Sequence, residues 1–324
     1  MQKYYFLFDV PNKLINFAHR IRQQAYYKYI VMIEISPELK PRWNDIIHDV
    51  LREYIKICKD NNLTYFCCGG TAIGAIRHQG MIPWDDDVDV FMPRPDYDRF
   101  IEIASRSLSA DYELVTPYTY HDYPLYFAKL CNRRTTLMEE SDTPCIYGLY
   151  IDIFPIDGAP DDVELARAME SKFRKTKNRL EAISTHNTFG EYIALLKQPK
   201  EWGRFVGKTF GFFFRSFYRK YLLGKMNSIC YRYNYDDSKI VAVYCGSYGP
   251  KEVFPKSWLD GVVTFKYEGM KVNLPSGYDN YLRQYYGDYM QLPPEEKRIS
   301  HHLKAYFNMD ERLPDDEVLK IVGR

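Results

Sequence analysis

The chain has 324 residues, 46% hydrophobic and 27% charged, so it carries apolar material for a sizeable core. At ~150 residues per domain it has room for two domains or one decorated one, which excludes a small disulfide-stapled scaffold and wholesale disorder. Forty-four Lys and Arg against 43 Asp and Glu give a formal charge of +1, no global field for gripping a polyphosphate backbone, and nucleic acid is not an expected partner.

Residues 1–36, rich in Tyr, Ile and basic side chains, read as an N-terminal extension broken off by Pro37 and Pro41. Its apolar start is interrupted by Asp9, Pro11 and Lys13 before a signal-peptide core or membrane span forms. A core domain is expected over 37–160, a helical insert over 161–239, and strands with a tail over 240–324. From Trp43, the residues Ile46, Ile47, Val50, Leu51, Tyr54, Ile55 and Cys58 fall at helical spacing and predict an amphipathic helix ending near Asn61-Asn62. Leu63 to Cys68 reads as a strand, Gly69-Gly70-Thr71 as a turn, and Ala72 to His78 as a short helix closed by Gly80.

From Asp85 to Phe91 acidic and apolar residues alternate as on a strand with one buried face. Pro95, Asp96 and Asp98 suit the first turn of the next helix. Tyr112–Val115, Tyr126–Cys131 and Gly148–Phe154 are further strand candidates. The mixture predicts an α/β (α+β) fold: a mixed sheet core, a helical insert, and a small C-terminal strand region where Gly246, Gly249, Gly261, Gly269, Pro275 and Gly277 punctuate short apolar runs. Seven cysteines without a C-x-x-C pair fit neither a zinc ribbon nor a disulfide framework and point to a reducing compartment, the cytoplasm.

The most informative feature is Asp85, Asp86, Asp87 and Asp89, four carboxylates within five residues. Like charges so close cost free energy unless a cation neutralises them. On a strand, Asp87 and Asp89 would share one face while Val88 and Val90 anchor the other. An EF-hand loop counted from Asp85 would need Gly where Val90 stands and Glu where Asp96 stands, so a calcium loop of that type is excluded. Magnesium or manganese, completing its shell with substrate phosphate, suits such oxygen ligands. Upstream, Gly69, Gly70 and Thr71 lie where backbone N–H groups at a helix start receive phosphate oxygens. Asp152, a lone acid in the apolar run Tyr147 to Phe154, supplies a third carboxylate if its strand lies beside that of Asp87, and such a set would hold two metals about 4 Å apart. Arg77, His78, Lys129 and Arg133 are basic candidates for a diphosphate. His301-His302 carry little weight, because lone histidines are more often satisfied structural residues.

The stretch GGTAIGAIRHQGMIPWDDDVDVFMPRPDYDRF, residues 69–100, resembles the signature of the LicD/fukutin family of the nucleotidyltransferase superfamily. YIDIFPID at 150–157, EGMKVNLPSGYDNYL at 268–282 and YGDYMQLPP at 286–294 are similar to its remaining landmarks, with Tyr267 standing where the family often has Phe. The resemblance, of bacterial LicD-like type, implies that the Gly-Gly turn touches phosphate and that Asp87, Asp89 and Asp152, with Asp85 beside them, bind magnesium. It further implies transfer of a phosphorylated alcohol, such as phosphocholine or ribitol phosphate, from a CDP-alcohol donor to a hydroxyl of a cell-surface glycan or its lipid-linked precursor, as in lipopolysaccharide biosynthesis, releasing CMP. By analogy with the superfamily Asp152 takes the hydroxyl proton. A nucleotidyltransferase releasing pyrophosphate and a non-catalytic nucleotide- or glycan-binding relative are the alternatives. Residues 204–225 mix Phe, Tyr and Leu with Arg204, Lys208, Arg215, Arg219, Lys220 and Lys225 and contain no acid, a pattern for peripheral contact with the inner face of a membrane. The other reading is an aromatic helix packed on the core with its basic residues outward.

Overall fold

The computed structural model describes residues 33–186, 189–300, 302 and 304–324, without the side chains of 189–192, 201, 204, 207, 208 and 210–213. The extension read over 1–36 therefore lies almost entirely outside the described residues, as do His301 and the side chains of Arg204 and Lys208.

Helix α1 (Lys40–Asp60) takes Pro41 in its first turn and buries Trp43, Ile47, Val50, Leu51, Tyr54 and Cys58 along one face. It ends where Asn61 Nδ2 donates to the Ile57 carbonyl at 2.9 Å and Asn62 turns to a φ of 52°. After β1 (Phe66–Cys67), helix α2 (Gly69–Arg77) starts on the glycines themselves, three residues earlier than the sequence pattern suggests. Strand β2 (Asp89–Pro93) leads directly into α3 (Arg94–Ser107). Then follow β3 (Tyr112–Val115), β4 (Ala128–Asn132), β5 (Thr136–Met138), β6 (Ile146–Tyr147) and the ten-residue β7 (Tyr150–Ala159).

The insert comprises α4 (Val163–Ser184), α5 (Phe189–Leu196) and α6 (Trp202–Cys230). Asp162 caps α4 by accepting the N–H groups of Glu164 and Leu165. The chain closes with β8 (Ile240–Ala242), β9 (Val253–Pro255), the hairpin β10 (Val262–Tyr267) and β11 (Met270–Pro275), α7 (Tyr278–Tyr286), β12 (Tyr306–Asn308) and α8 (Asp315–Ile321).

The main sheet runs β1-β2-β7-β4-β3, and β8, itself joined to β9, pairs the far half of β7. Only β2 and β7 run parallel; the other pairs in this sheet are antiparallel. This is the mixed sheet expected from the sequence. Strand β7 is its spine, with Ile151, Ile153 and Ile156 fully buried, and α1 and α3 pack against it. A second sheet, β12-β5-β6, ties the chain's last third back to the core. All seven cysteines are buried and free.

Two local differences bear on the site. The alternation over Asp85–Phe91 does not make one strand, because Asp85 to Val88 form a loop held from α1: Trp43 Nε1 donates to the Asp86 carbonyl at 2.9 Å and Lys40 Nζ to that of Asp85. Helix α7 falls in a stretch read as strands and turns, although Tyr281, Leu282 and Tyr285, its buried residues, already stand at helical spacing.

Candidate active site

Asp89 is the first residue of β2 and Asp152 the third of β7, and the parallel register sets them opposite each other. Side chains at paired positions of adjacent strands project from the same face, so these two carboxylates emerge together. The Asp152 N–H donates to the Val88 carbonyl at 2.8 Å and the Asp89 N–H to Thr71 Oγ1 at 2.9 Å, which ties the strands to the start of α2. On the other side of β7, Lys129 of β4 is the register partner of Asp152, and its ammonium reaches Asp152 Oδ1 at 2.7 Å.

The glycines admit the carboxylates by what they lack. Gly69 has a φ of +56°, and a Cβ there would stand 3.0 Å from Asp89 Oδ2. A Cβ on Gly70 would collide with Asp85 Oδ2. The Gly69 N–H donates to the Tyr281 hydroxyl at 2.7 Å, so α7 supports the turn from behind.

The middle aspartate of the loop is a buried hub. Asp86 accepts from His302 Nδ1 at 2.9 Å, from Ser300 Oγ at 2.8 Å and from Lys304 Nζ, all delivered by the C-terminal segment. The same His302 nitrogen lies 3.2 Å from Asp87 Oδ2. Burial pushes the Asp86 carboxyl up, but His302 and Lys304 outweigh it and hold the group below the usual carboxylate range. The Asp87 charge above all raises His302 to about 10.

The other acids go the opposite way. Burial and the nearby Asp87 push Asp85 well up, and burial with Asp87 and Asp152 does the same to Asp89. Burial raises Asp152 to about 7 even though Lys129 opposes the shift. Lys129 is itself enclosed: its Nζ sits 3.3 Å from the Tyr150 ring centre and 3.7 Å from Glu139, whose carboxylate also takes the hydroxyls of Tyr147 and Tyr150. The loop and strand acids thus outnumber the cations paired with them, a formal surplus of negative charge that protons or a bound cation must offset.

That surplus is the test of fit for a cation. Asp86, Asp87 and His302 offer ligand atoms within 4.8 Å of one another. Of these, Asp86 and His302 already engage each other, which makes them a brace; Asp87 shares that His302 and Asp152 has Lys129, whereas Asp85 and Asp89 form no ion pair among the described residues. Carboxylate oxygens are hard donors, and a hard divalent cation suits them.

Of the basic residues expected to grip a diphosphate, the structure places each elsewhere or gives it other work. Lys129 is 1% exposed and paired with Asp152, so it is no free ammonium; a cation at that strand position serves the carboxylate opposite. Arg77 Nη1 donates to the carbonyls of Tyr289 and Gln291 at 2.7 and 3.1 Å and so fastens the segment after α7. His78 lies edge-on to Trp84, and Arg133 is exposed on the turn after β4. The sequence reasoning passed over Asp86 as a separate residue, over Glu139, Ser300, Lys304 and Tyr281, and set His302 aside. The one available signal was the pairing of His302 with Lys304 in an otherwise unexplained tail.

Residues 62–186 match the family described as LicD/FKTN/FKRP, nucleotidyltransferase domain, a span that holds Gly69, the aspartate loop, Lys129, Glu139 and Asp152. The chain is 29% identical over 266 residues to the lipopolysaccharide cholinephosphotransferase LicD of Haemophilus influenzae, covering 80% of this chain and 94% of that protein. Shorter similarities reach uncharacterized proteins of Rickettsia typhi, 31% over 68 residues, 21% of this chain and 22% of that one, and of Rickettsia prowazekii, 39% over 44 residues, 14% and 16%. His302 and Lys304, which complete the site, lie beyond the family-matched span.

Proposed function

From its likeness to the LicD/FKTN/FKRP nucleotidyltransferase domain over residues 62–186 and to a LicD cholinephosphotransferase, we propose that the chain is a LicD-like transferase that moves a phosphocholine-like group from a CDP-activated alcohol to a hydroxyl of a lipopolysaccharide-type glycan or its lipid-linked precursor, releasing CMP. The observation that carries this reading is the parallel register of Asp89 and Asp152 beside the Gly69-Gly70 start of α2. It assembles surplus carboxylate charge next to backbone N–H groups suited to phosphate.

In this reading the acceptor hydroxyl attacks the phosphorus bearing the alcohol, a new P–O bond forms, and the P–O bond to CMP breaks. Asp152 takes the hydroxyl proton, held in place by Lys129 through Oδ1. Asp85, Asp87, Asp89 and Asp152 would hold magnesium or manganese, whose charge offsets that building up on the diphosphate. The Asp86–His302–Lys304 brace keeps the loop in shape while Asp87 turns toward the substrate. The glycines leave room for the Asp85 and Asp89 carboxylates to lie against the start of α2.

The test presents purified protein and magnesium with a panel of CDP-alcohols and a glycan acceptor and identifies the nucleotide product. CMP formed only with acceptor and divalent cation supports the reading. Pyrophosphate released when CTP is offered in place of the CDP-alcohol, with CMP joined to the acceptor, would replace it with nucleotidyl transfer, and nucleotide binding without any product would leave a non-catalytic relative.

A further inference from the structure

Helix α6 turns an apolar face away from the protein. Trp202, Val206, Phe214, Phe217 and Tyr221 are 57, 64, 49, 76 and 50% exposed. At 100° per residue these positions fall within an arc of about 120°. The opposite face of the same helix is the buried one, where Leu222, Leu223, Met226 and Ile229 enter the core. The outward stripe is therefore not the side that holds the helix to the fold. Exposed aromatic side chains gathered on one helix face mark a contact site.

Charge identifies the partner. Between Ile193 and Cys230 there are eight basic residues and a single acid, Glu201, in a chain whose total charge is +1. The rest of the chain is accordingly net acidic; of the eight, Arg215 turns inward to the Thr185 carbonyl and the buried Arg219 to those of Pro117 and Tyr123, correcting their place in the membrane-facing pattern and leaving the lysines as the outward charge. Lys197, Lys200 and Lys220 are exposed around the stripe, and Lys225 Nζ lies 5.1 Å from the Tyr221 ring centre. A phosphate backbone would use the lysines but leave the aromatic stripe without a partner. An acyl-chain boundary with anionic headgroups takes both. Among the described residues no helix is long and apolar enough to cross a membrane, which fits a helix lying along the surface.

We propose that α6 docks this protein on an anionic lipid bilayer, with Trp202, Val206, Phe217 and Tyr221 entering the headgroup boundary and Lys197, Lys200 and Lys220 meeting lipid phosphates. This goes beyond the transfer reaction and is scored without it. The test sediments the full chain with vesicles of phosphatidylglycerol and phosphatidylcholine, and separately with phosphatidylcholine alone, while following tryptophan emission.

Binding to the mixed vesicles at least tenfold tighter than to the neutral ones is expected, with a blue shift that the Trp202→Phe variant loses. The double variant Val206→Ser with Phe217→Ser should bind at least tenfold more weakly while keeping its circular dichroism. Two results would overturn the proposal: wild-type protein left in the supernatant, or a double variant that binds as wild type does. A concentration-dependent dimer dissolved by Phe217→Ser would also overturn it, by making the stripe a contact between two copies. Because sedimentation needs no turnover, a protein that binds vesicles but releases no CMP would sink the transfer reading alone.

Discussion

Lys129 Nζ and Asp152 Oδ1 meet at 2.7 Å across neighbouring strands, with 1% and 11% of the two side chains exposed. Removing one member of a buried ion pair leaves the other without a counter-charge, at a cost of about 3–5 kcal/mol. Lys129→Met should therefore lower the unfolding free energy by about 3 kcal/mol, some of the loss being relieved when Asp152 keeps a proton. Transfer should fall by about 100-fold, since a protonated and unpositioned Asp152 cannot take up the acceptor's proton. Urea melts and CMP release measured on the same samples check both halves. A variant as stable as wild type but equally active would remove Lys129 from the mechanism.

Asp89 raises a different expectation, because its neighbours already resist its charge. In protein stripped of divalent cations, Asp89→Asn takes away one of several mutually repelling acids, and the melting temperature should rise or hold. Added magnesium should stabilise the wild type and have little effect on Asp87→Asn or Asp89→Asn, while transfer drops by about 1,000-fold or more in both. Thermal melts with chelator and with magnesium, set beside CMP release, decide it. An Asn variant that still gains stability from magnesium and turns over normally would place the cation elsewhere.

Gly70 faces Asp85 so closely that any side chain must displace the carboxylate. Gly70→Ala should cost about 1–3 kcal/mol from overpacking, and activity should fall further than stability because the displaced group sits beside the proposed nucleotide site. The ratio of the two losses, read from melts and from kcat/KM for donor, is the measurement. A drop in stability with normal kcat/KM would show that the loop can shift freely.

Glu252 offers a pH signature away from the aspartates. Burial above all raises it to about 8, and its Oε2 accepts the N–H groups of Tyr248 and Gly249 at 3.0 and 3.1 Å. A carboxyl with a higher pKa folded than unfolded holds its proton more tightly in the native state. Its contribution is complete below about pH 4.5 and drains away as pH climbs toward about 8, with a slope approaching ~1.4 kcal/mol per pH unit. Glu252→Gln keeps an accepting oxygen and should flatten the stability profile between those limits. Urea denaturation at pH 5, 6, 7 and 8 for both proteins gives the comparison, and parallel profiles would refute it.

How much of this could be read beforehand differs residue by residue. Helix α1 was visible because its buried positions follow a 3.6-residue period over 21 residues, a signal that depends on local geometry alone. The acid cluster was visible because four of its members are adjacent in the chain. Their backbone conformation was not: the alternation of Asp and Val mimics a strand, while the carbonyls of Asp85 and Asp86 are in fact held by Lys40 and Trp43, some forty residues away. The role of Lys129 followed from strand register, which a single sequence does not encode, and so its charge was assigned to substrate instead of Asp152. His302 looked like any isolated histidine until the tail was seen to return to the loop.

That returning tail has a consequence for how the protein comes into being. The ribosome delivers Asp86 early and Lys304 more than two hundred residues later, so through most of synthesis the aspartate loop has no positive partners from the tail. The sheet can close on β8 and β9 before they emerge, and until the last segment arrives the loop has its hold from α1, through Lys40 and Trp43, without its brace. A chain halted before Ser300 would lack the three donors to Asp86, so the aspartate loop reaches its braced shape only once translation is nearly done.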